Sequence, residues 1–309
     1  MSPRADLFDN PAWPSARPRL SVLIPFLRDD PMTLLAALGA TPTSAAELIV
    51  LDDGTGDPDL TARLKLTIRD LALPARLVTL PANEGRSRGR NRLAQAARGG
   101  HLLFLDSDML PDATDFLAEW VRLVETEDPA VAFGGFSLKQ ASTDRRFAVH
   151  RAMAGRSETL DAATRAKTPE KYVFTSNLLV RRDVFEAEAF DPGFAGWGWE
   201  DVEWAMRVSR RWPVRHVDIT ATHMGLDDAA ALAGKYEQSA ANFARVVQRH
   251  FDLVSSYPSY RVARRLKALP GLALLRPWLK RLALSEAAPV GARAFSLRLY
   301  RAALYADRV

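Results

Sequence analysis

Two carboxylates separated by a single residue follow an apolar run and are the first candidates for chemistry. Asp106 and Asp108 come directly after residues 102–105, which are all apolar. Two such groups repel each other and resist burial unless a cation or hydrogen-bond donors neutralise them. Hard divalent ions such as Mg²⁺ and Mn²⁺ prefer oxygen ligands together with phosphates. The pattern predicts a site for a metal and a phosphate-bearing ligand, although the short D-x-D sequence is also compatible with a solvated turn.

Two further loops carry polar groups at the ends of apolar runs. Asp52 follows the apolar run at residues 48–51 of a predicted strand. A carboxylate there can accept a hydrogen bond from a ribose hydroxyl or a base N–H, although Asp and Gly also form ordinary turns. Asn83 opens a turn that leads into a basic helix start containing Arg90. Cations oppose the dipole of a helix N-terminus, so a bound diphosphate would relieve both the charges and the free N–H groups. The alternative is a solvated basic face.

A loop rich in glycine and tryptophan leads into two adjacent carboxylates in the second half of the chain. Residues 196–199 include Trp197 and Trp199 and run directly into Glu200 and Asp201. Aromatic planes can stack on the C–H-rich surfaces of sugar rings, and carboxylates accept hydrogen bonds from sugar hydroxyls. The loop is therefore a candidate sugar site. The alternative is a helix start in which the acidic residues favour the dipole and the tryptophans belong to the core.

His223 is a candidate nitrogen ligand for the same metal as Asp108, because it follows a predicted strand at residues 214–220. A single histidine is also common as a hydrogen-bonded structural residue. The chain has no cysteine, which excludes disulfides, a thiol nucleophile and a zinc site built from thiolates. Any metal must therefore use oxygen and imidazole ligands.

The elements that position these residues alternate between short apolar runs and segments of helical period, as in an α/β protein with a parallel sheet. Strands are predicted at residues 20–24, 47–51, 75–80 and 101–105, and helices near 33–38, 59–71, 87–97 and 114–124. In such sheets ligands bind at the carboxyl ends of the strands, where the loops described above lie. Further strands are predicted at residues 173–180 and 214–220.

The positive charge is concentrated near the carboxyl end of the sequence. The net charge is +5, but residues 261–309 hold 11 Lys and Arg against Glu286 and Asp307, so this segment carries +9 and the residues before it carry −4. Its cations alternate with Leu, Ala, Pro and Trp, a pattern that favours an anionic membrane surface over nucleic acid. The alternative is core packing with a basic outer face. We find neither a signal-peptide pattern nor an apolar run long enough to span a bilayer, and expect a cytoplasmic protein that is peripheral to the membrane.

Several motifs taken in order resemble the family-2 glycosyltransferases of the GT-A fold. They are Ser21-Val22-Leu23-Ile24-Pro25, Leu51-Asp52-Asp53-Gly54, Asn83-x-Gly85 with Arg90-Asn91, and Asp106-x-Asp108. A second group further resembles the subgroup that contains chondroitin-polymerase domains and β-1,4-galactosyltransferases. It comprises Phe190-Asp191-Pro192-Gly193-Phe194, Gly196-Trp197-Gly198, Glu200-Asp201 and His223. The resemblance covers residues 20–251 and implies a mostly parallel sheet flanked by helices. The Pro-broken, Arg-rich helical segments after about residue 257 lie outside it and are predicted to form an appendage.

The resemblance also implies the roles of the donor-site residues. Asp52 would contact the uracil of a UDP-sugar, and Asp106 its ribose. Asp108 and His223 would bind Mn²⁺ or Mg²⁺. The remaining donor-site residues would be Pro25, Arg28, Asn83 and Arg90. Residues 1–19 are expected to form an arm, residues 20–256 the transferase domain, with a nucleotide-binding half to about 130 and an acceptor and catalytic half from 131, and residues 257–309 a basic helical segment.

The resemblance implies transfer of a hexose or N-acetylhexosamine to a saccharide hydroxyl with inversion, as in polysaccharide biosynthesis. Asp201 would be the general base, while Trp197 and Glu200 would frame the two sugars. Trp199 departs from the small residue usual in such relatives, which predicts a different acceptor pocket. One alternative is a sugar-nucleotide-binding protein without turnover. Another is a nucleotidyltransferase, but the Gly-rich basic loop expected after the first strand is replaced by Ile24-Pro25-Phe26-Leu27.

Overall fold

A computed structural model describes residues 5–309, which form eleven strands, thirteen α-helices and two short 3₁₀ helices. The strands are β1 (Asp6–Asp9), β2 (Leu20–Phe26), β3 (Ala46–Asp52), β4 (Ala75–Thr79), β5 (His101–Leu105), β6 (Met109–Pro111), β7 (Val131–Phe133), β8 (Phe136–Ser137), β9 (Asn177–Arg181), β10 (Val214–His216) and β11 (Ala221–His223). The helices are α1 (Met32–Gly39), α2 (Pro58–Asp70), α3 (Arg86–Ala96), α4 (Phe116–Glu127), α5 (Ala148–Ala154), α6 (Ala162–Arg165), α7 (Arg182–Ala187), α8 (Glu200–Val208), α9 (Ala229–Arg249), α10 (Phe251–Val254), α11 (Pro258–Lys267), α12 (Leu272–Leu284) and α13 (Val290–Ala306).

A central sheet of eight strands organises the molecule in the order β1-β4-β3-β2-β5-β9-β7-β10. Strands β4, β3, β2 and β5 are mutually parallel, whereas β9 runs antiparallel between β5 and β7. Strand β1 adds an antiparallel edge beside β4. A second sheet of three strands, β6-β11-β8, stands beside the first. The predicted α/β fold with a mostly parallel sheet is confirmed.

Helices cover both faces of the central sheet because successive residues of its strands point to opposite sides. In β3, Leu48 and Val50 pack with α1, α2 and α4, while Ile49 and Leu51 pack on the other face with α3, α7 and α8. Helix α2 begins where Asp57 accepts hydrogen bonds from the backbone N–H groups of residues 59 and 60, which satisfies two donors of its first turn. The parallel strands therefore end together at one edge of a sheet that is buried on both faces.

The second half of the chain departs from the predicted strands. Residues 173–176 precede β9 instead of belonging to it, so the strand predicted at 173–180 begins only at Asn177. The strand predicted at 214–220 is divided into β10 and β11. Strand β10 pairs with β7 in the large sheet, and β11 pairs with β6 and β8 in the small one. The chain changes sheets between them, which brings His223 toward the end of β5.

The C-terminal helices pack on the rest of the fold. Helix α13 contacts α5, α9, α11 and α12. Helix α12 leaves Leu274 and Trp278 exposed by 79% and 68%, while Leu272 and Ala283 on its other side are buried. None of the helices within residues 5–309 combines the length and the apolar composition that a bilayer crossing requires.

Candidate active site

A cavity of about 720 Å³ opens at the carboxyl ends of β2 to β5. The loops after these strands supply one wall, and the loop before α8 together with α9 supplies the other. The wall on the sheet side includes Pro25, Asp29, Asp53, Asn83, Arg86, Arg88, Arg90, Asp106 and Asp108, and the opposite wall includes Pro192, Phe194, Trp197, Lys235 and Gln238. Of the predicted site residues, the cavity therefore brings Pro25, Asn83, Arg90, Asp106, Asp108 and Trp197 together.

Asp108 and His223 form a pair of unlike ligand groups at this cavity. Asp108 Oδ2 lies 3.3 Å from His223 Nε2. Burial favours the neutral form of the Asp108 carboxyl, but the hydrogen bond and charge of His223 outweigh it and hold the pKa of Asp108 below its ordinary value. Burial also opposes the charge of His223, yet Asp108 raises the pKa of that imidazole. Each side chain therefore stabilises the charged form of the other.

The pair fits a divalent cation. Ligand atoms about 2.1 Å from one ion and at right angles to each other lie about 3 Å apart, close to the observed separation. A side chain at residue 225 would collide with Asp108 Oδ2, so Gly225 leaves room beside that oxygen. The carboxylate of Asp29 lines the same cavity, and its pKa is raised first by burial and then by the charge of Asp108. Oxygen and imidazole donors in an acidic surrounding suit a divalent metal ion.

Two residues behind His223 extend this cluster. One ligand atom from each of His150, Glu158 and His223 lies within 4.8 Å of the others. His150 Nδ1 accepts a hydrogen bond of 2.8 Å from the backbone N–H of Asp227, so a neutral His150 carries its proton on Nε2. That nitrogen lies 3.9 Å from Glu158 Oε2. His150 therefore faces Glu158 at a distance longer than a hydrogen bond, and Glu158 places a carboxylate beside His223.

Arg90 connects the sheet side of the cavity to the start of α8. Its Nη2 donates a hydrogen bond of 2.8 Å to Asp106 Oδ1, and its Nη1 lies 3.7 Å from Glu200 Oε1. Arg90 and Glu200 are almost fully buried, with 2% and 3% of their surfaces exposed. Within the described chain, Arg90 Nε and Nη1 and Glu200 Oε2 make no hydrogen bond. Arg90 thus holds Asp106 and Glu200 in place. The Arg90 and Glu200 atoms that make no hydrogen bond within residues 5–309 could bind a ligand.

Asp201 has the acid–base property expected of a proton acceptor at neutral pH. Burial, and then the charge of neighbouring Glu200, raise the pKa of Asp201 to about 7. The backbone N–H of Val202, 2.8 Å from Asp201 Oδ1, and the charges of Arg90 and Arg86 oppose that shift. Asp201 does not line the cavity itself, but it adjoins Glu200, which interacts with the two arginines of the wall.

The loop after β3 holds its neighbours in place. Asp52 Oδ1 accepts a hydrogen bond of 2.8 Å from the backbone N–H of Thr55, and Asp52 does not line the cavity. Asp53 accepts hydrogen bonds from the Asn83 side chain at 2.9 Å and from the N–H groups of residues 84 and 85. Asp53 therefore fixes the turn before α3. Arg28 has φ 60°, is exposed and also lies outside the cavity wall.

The loop before α8 depends on backbone conformations that side chains rarely allow. Gly196, Gly198 and Trp199 have φ values of 73°, 89° and 76°. Asn242 of α9 donates hydrogen bonds to the carbonyl groups of residues 195 and 198, both at 2.9 Å. Trp197 faces the cavity beside Tyr236, with ring centroids 6.0 Å apart. Trp199 turns the other way and packs on α9 and α13, so it does not narrow the cavity wall.

Several residues of the site were not predicted. Asp29, Lys235 and Gln238 line the cavity, and His150 and Glu158 lie behind His223. Asp29 follows the same strand as Pro25, so its position at a strand end was a usable signal. The other four lie on or near helices of the second half, and no local pattern of the sequence connects them to the strand ends.

The chain matches known proteins in both sequence and fold. The family model described as glycosyl transferase family 2 matches residues 21–188. A search of curated proteins found no match. Among solved structures, a mannosyltransferase of Pyrobaculum calidifontis, PcManGT, in complex with GDP-Man and Mn²⁺ has 18% identity and a TM-score of 0.57, covering 96% of this chain and 88% of that one.

Two further solved structures share the fold. Residues 1–349 of TarS from S. aureus have 16% identity and a TM-score of 0.54 over 92% of this chain and 89% of that one. The same TarS fragment is also solved with UDP-GlcNAc. Glucosyl-3-phosphoglycerate synthase of Mycobacterium tuberculosis, in complex with phosphoglyceric acid, has 19% identity and a TM-score of 0.54 over 75% and 80% of the two chains.

The fold and the strand-end cavity define a glycosyltransferase of the GT-A fold. The family model covers more than half of the sequence, so the chain belongs to glycosyl transferase family 2.

Proposed function

We propose that the protein transfers a hexose or N-acetylhexosamine from a UDP-sugar to a hydroxyl of a saccharide, with inversion at the anomeric carbon. The carrying observation is the arrangement of two different chemical groups about one cavity. Asp108 and His223 form a ligand pair for a divalent cation, and Asp201, with a pKa of about 7, adjoins Glu200, which interacts with Arg86 and Arg90 of the cavity wall. This is the arrangement that a single displacement needs.

The donor is proposed to lie along the ends of the parallel strands. Its uridine would lie near Asp52 and Pro25, its ribose near Asp106, and its diphosphate near Asn83 and the uncapped N-terminus of α3. Within the part of the chain that the structure describes, no side chain caps α3, which begins at Arg86 after Gly85, so its N–H groups are available to an anion. UDP-GlcNAc and GDP-Man in the structural neighbours support a nucleotide-sugar donor. The uracil preference rests on the family resemblance.

A divalent cation, held by Asp108 and His223, would neutralise the charge that grows on the departing diphosphate. Asp201 would accept the proton of the acceptor hydroxyl. The acceptor oxygen then forms its bond to the anomeric carbon as the bond from that carbon to the diphosphate breaks, and the two bonds lie on opposite faces of the sugar. Trp197 and Glu200 would orient the sugars, as in the chondroitin-polymerase and β-1,4-galactosyltransferase subgroup that the sequence resembles.

A panel of nucleotide sugars, each with and without Mn²⁺, tests this proposal. We expect release of nucleoside diphosphate from one donor only when the cation is present. The variant Asp201→Asn should retain UDP binding and lose transfer, and Asp183→Asn, which changes an exposed carboxylate elsewhere, should keep both. Donor binding without turnover by the unaltered protein would instead indicate a sugar-nucleotide-binding protein.

We also propose that α12 attaches the protein to an anionic membrane. Leu274, Leu275, Trp278 and Leu282 are exposed on this helix, and Arg264, Arg265, Lys267 and Arg281 are exposed on α11 and α12. Apolar groups flanked by cations bind the interface of anionic lipids, and each cation near the surface contributes about 1 kcal/mol.

Co-sedimentation with phosphatidylglycerol and phosphatidylcholine vesicles tests the membrane proposal. We expect binding only to the anionic vesicles, and loss of binding at high salt or in Trp278→Ser. The variant Phe251→Ser, which changes a side chain that is 53% exposed on α10, is the matched control. Equal sedimentation of Trp278→Ser and the unaltered protein would contradict the proposal.

A further inference from the structure

Three arginines near the active site lack an acidic partner. Among residues 5–309, no carboxylate oxygen lies within 4.0 Å of the side-chain nitrogens of Arg156, Arg298 or Arg301. Two other cations of the same C-terminal helices are paired, Arg276 with Asp307 and Lys280 with Glu237. We call the unpaired group the arginine cluster.

The arginine cluster lies where α13 covers α5 and α9. Arg298 and Arg301 are three positions apart on α13, so they share a face of that helix. Neighbouring Leu297 of the same helix packs with α5 and α9 residues in one buried cluster. Arg156 follows α5 in the chain and is exposed, whereas Arg298 and Arg301 are partly buried. Burial lowers the pKa of Arg298, and the positive charges of Arg156 and Arg301 lower it further, as expected of neighbouring like charges.

Aromatic rings connect the arginine cluster to the cavity. The Arg301 guanidinium lies 5.0 Å from the centroid of the Tyr236 ring. That ring lies 6.0 Å from Trp197, which lines the cavity. The cluster is therefore next to the wall that Trp197 forms, and its members are not themselves part of the wall.

Glu158 is the carboxylate that acts on this cluster, and it also interacts with two histidines. Glu158 acts on Arg301, but it also faces His150 at 3.9 Å and lies in one cluster with His223. Burial opposes the charge of Arg301, but Tyr236, Tyr305 and Glu158 outweigh it and raise the pKa of that group. Arg298 has no carboxylate within 4.0 Å among residues 5–309, so the charges of Arg156 and Arg301 beside it are not offset. Guanidinium groups bind phosphate and carboxylate groups through paired N–H donors, and an anion would offset the mutual repulsion of the three arginines.

We propose that the arginine cluster binds an anionic group, a phosphate or a carboxylate, that the acceptor substrate carries. This inference rests on the proposed function, because it assumes that an acceptor occupies the cavity beside Trp197. The donor diphosphate has its own cations in the cavity wall, Arg86 and Lys235, and the N-terminus of α3. The arginine cluster lies outside that wall behind Tyr236, where an acceptor reaching past Trp197 would place its charge.

Calorimetric titration with inorganic phosphate, at constant ionic strength and with UDP and Mg²⁺ already saturating, tests the proposal. We expect the unaltered protein to bind one phosphate, and Arg298→Gln and Arg156→Ala each to weaken binding about tenfold or more. Arg156 is exposed on a turn, so its removal should leave the fold intact. The variant Arg145→Ala changes another exposed arginine and should bind phosphate normally.

The same variants distinguish an acceptor anion from the donor diphosphate. Their affinity for UDP, measured separately, should equal that of the unaltered protein. The proposal is overturned if the unaltered protein binds no phosphate beside UDP, if the variants bind it as well as Arg145→Ala does, or if they lose UDP affinity in the same proportion. Failure to bind UDP at all would count against the proposed function, which this separate measurement reveals.

Discussion

The indole Nε1 of Trp199 donates a hydrogen bond of 2.9 Å to the hydroxyl of Tyr305 and so joins the loop before α8 to the last turns of α13. The Tyr305 hydroxyl also lies 2.8 Å from Ser239 Oγ, and its ring stacks on Phe243 at 4.2 Å. Trp199 has φ 76°, a conformation rarely populated outside glycine, so these contacts hold it there. The C-terminal helix thereby supports the start of α8, where Asp201 lies.

Replacing Tyr305 by phenylalanine should therefore affect activity as well as stability. The variant Tyr305→Phe keeps the stacked ring but leaves the partly buried Trp199 N–H without its acceptor, a loss of about 1–2 kcal/mol. We expect a lower melting temperature and a several-fold lower kcat, with little change in UDP affinity. Thermal unfolding and steady-state kinetics measure these effects.

A second substitution on the same helix separates support of the loop from general damage to α13. Phe295 is 62% exposed, so Phe295→Ala should leave kcat unchanged. If Tyr305→Phe loses stability but keeps full kcat, the hydrogen bond does not position the candidate base, and α13 contributes only to stability.

The raised pKa of Asp201 predicts the pH dependence of transfer. A base must be deprotonated, so kcat/KM should rise through about pH 7. This rise is the acidic limb of the pH profile. After burial, the charge of Glu200 is the largest cause of the raised pKa, so Glu200→Gln should move the acidic limb to lower pH even if it lowers the rate. Kinetics at saturating metal, from about pH 5.5 to 9, check the shift. Glu186→Gln, at an exposed site, should leave the limb where it is, and an unmoved limb in Glu200→Gln would show that another group titrates.

The ionised form of Asp201 should also lower the free energy of unfolding, and its full effect is expected above about pH 7. Its pKa is higher in the folded protein than the ordinary 3.8, so the folded state binds the proton more tightly and loses stability as the pH rises toward about 7. The variant Asp201→Asn avoids this penalty. We expect it to be more stable than the unaltered protein by on the order of 1–3 kcal/mol at pH 8, and by much less near pH 4. Urea unfolding at both pH values measures the difference, and an equal difference at both would contradict it.

The parallel half of the sheet could be predicted because its signal is local. Strand β5 is buried along its whole length, and its sequence is a short apolar run that ends abruptly at Asp106. Helix α2 has a capping aspartate and a proline in its first turn. Each element therefore carries its own boundary marks, and the order of strands and helices then places the loops with Asp52, Asn83 and Asp106 at one edge.

The second half could not be predicted in the same way because strand pairing there depends on distant residues. Residues 214–223 carry no mark of the break between β10 and β11, which follows from pairing with Val131–Phe133 in one sheet and with Met109–Pro111 in the other. The direction of Trp199 depends on Phe243 and Tyr305, which come much later in the chain.

Glu158 offers the last prediction, because it lies behind a candidate metal ligand and was not predicted. Asp108→Asn and His223→Ala each remove a proposed ligand and should abolish Mn²⁺ binding in the presence of UDP. Glu158→Gln keeps both ligands but removes the negative charge beside His223, which should weaken Mn²⁺ binding about tenfold, as for other groups that orient metal ligands. Electron paramagnetic resonance of free Mn²⁺ gives the affinity without any turnover.

The control for Glu158 is the same chemical change at an exposed site. Glu186→Gln should leave Mn²⁺ affinity unaltered, which separates a local effect from a change in overall charge. His150→Gln should weaken Mn²⁺ binding less than Glu158→Gln does, because it leaves the Glu158 carboxylate in place and removes only the imidazole that faces it at 3.9 Å. If Glu158→Gln abolishes binding as completely as His223→Ala, Glu158 is itself a ligand, and the metal lies between the three residues instead of between Asp108 and His223 alone.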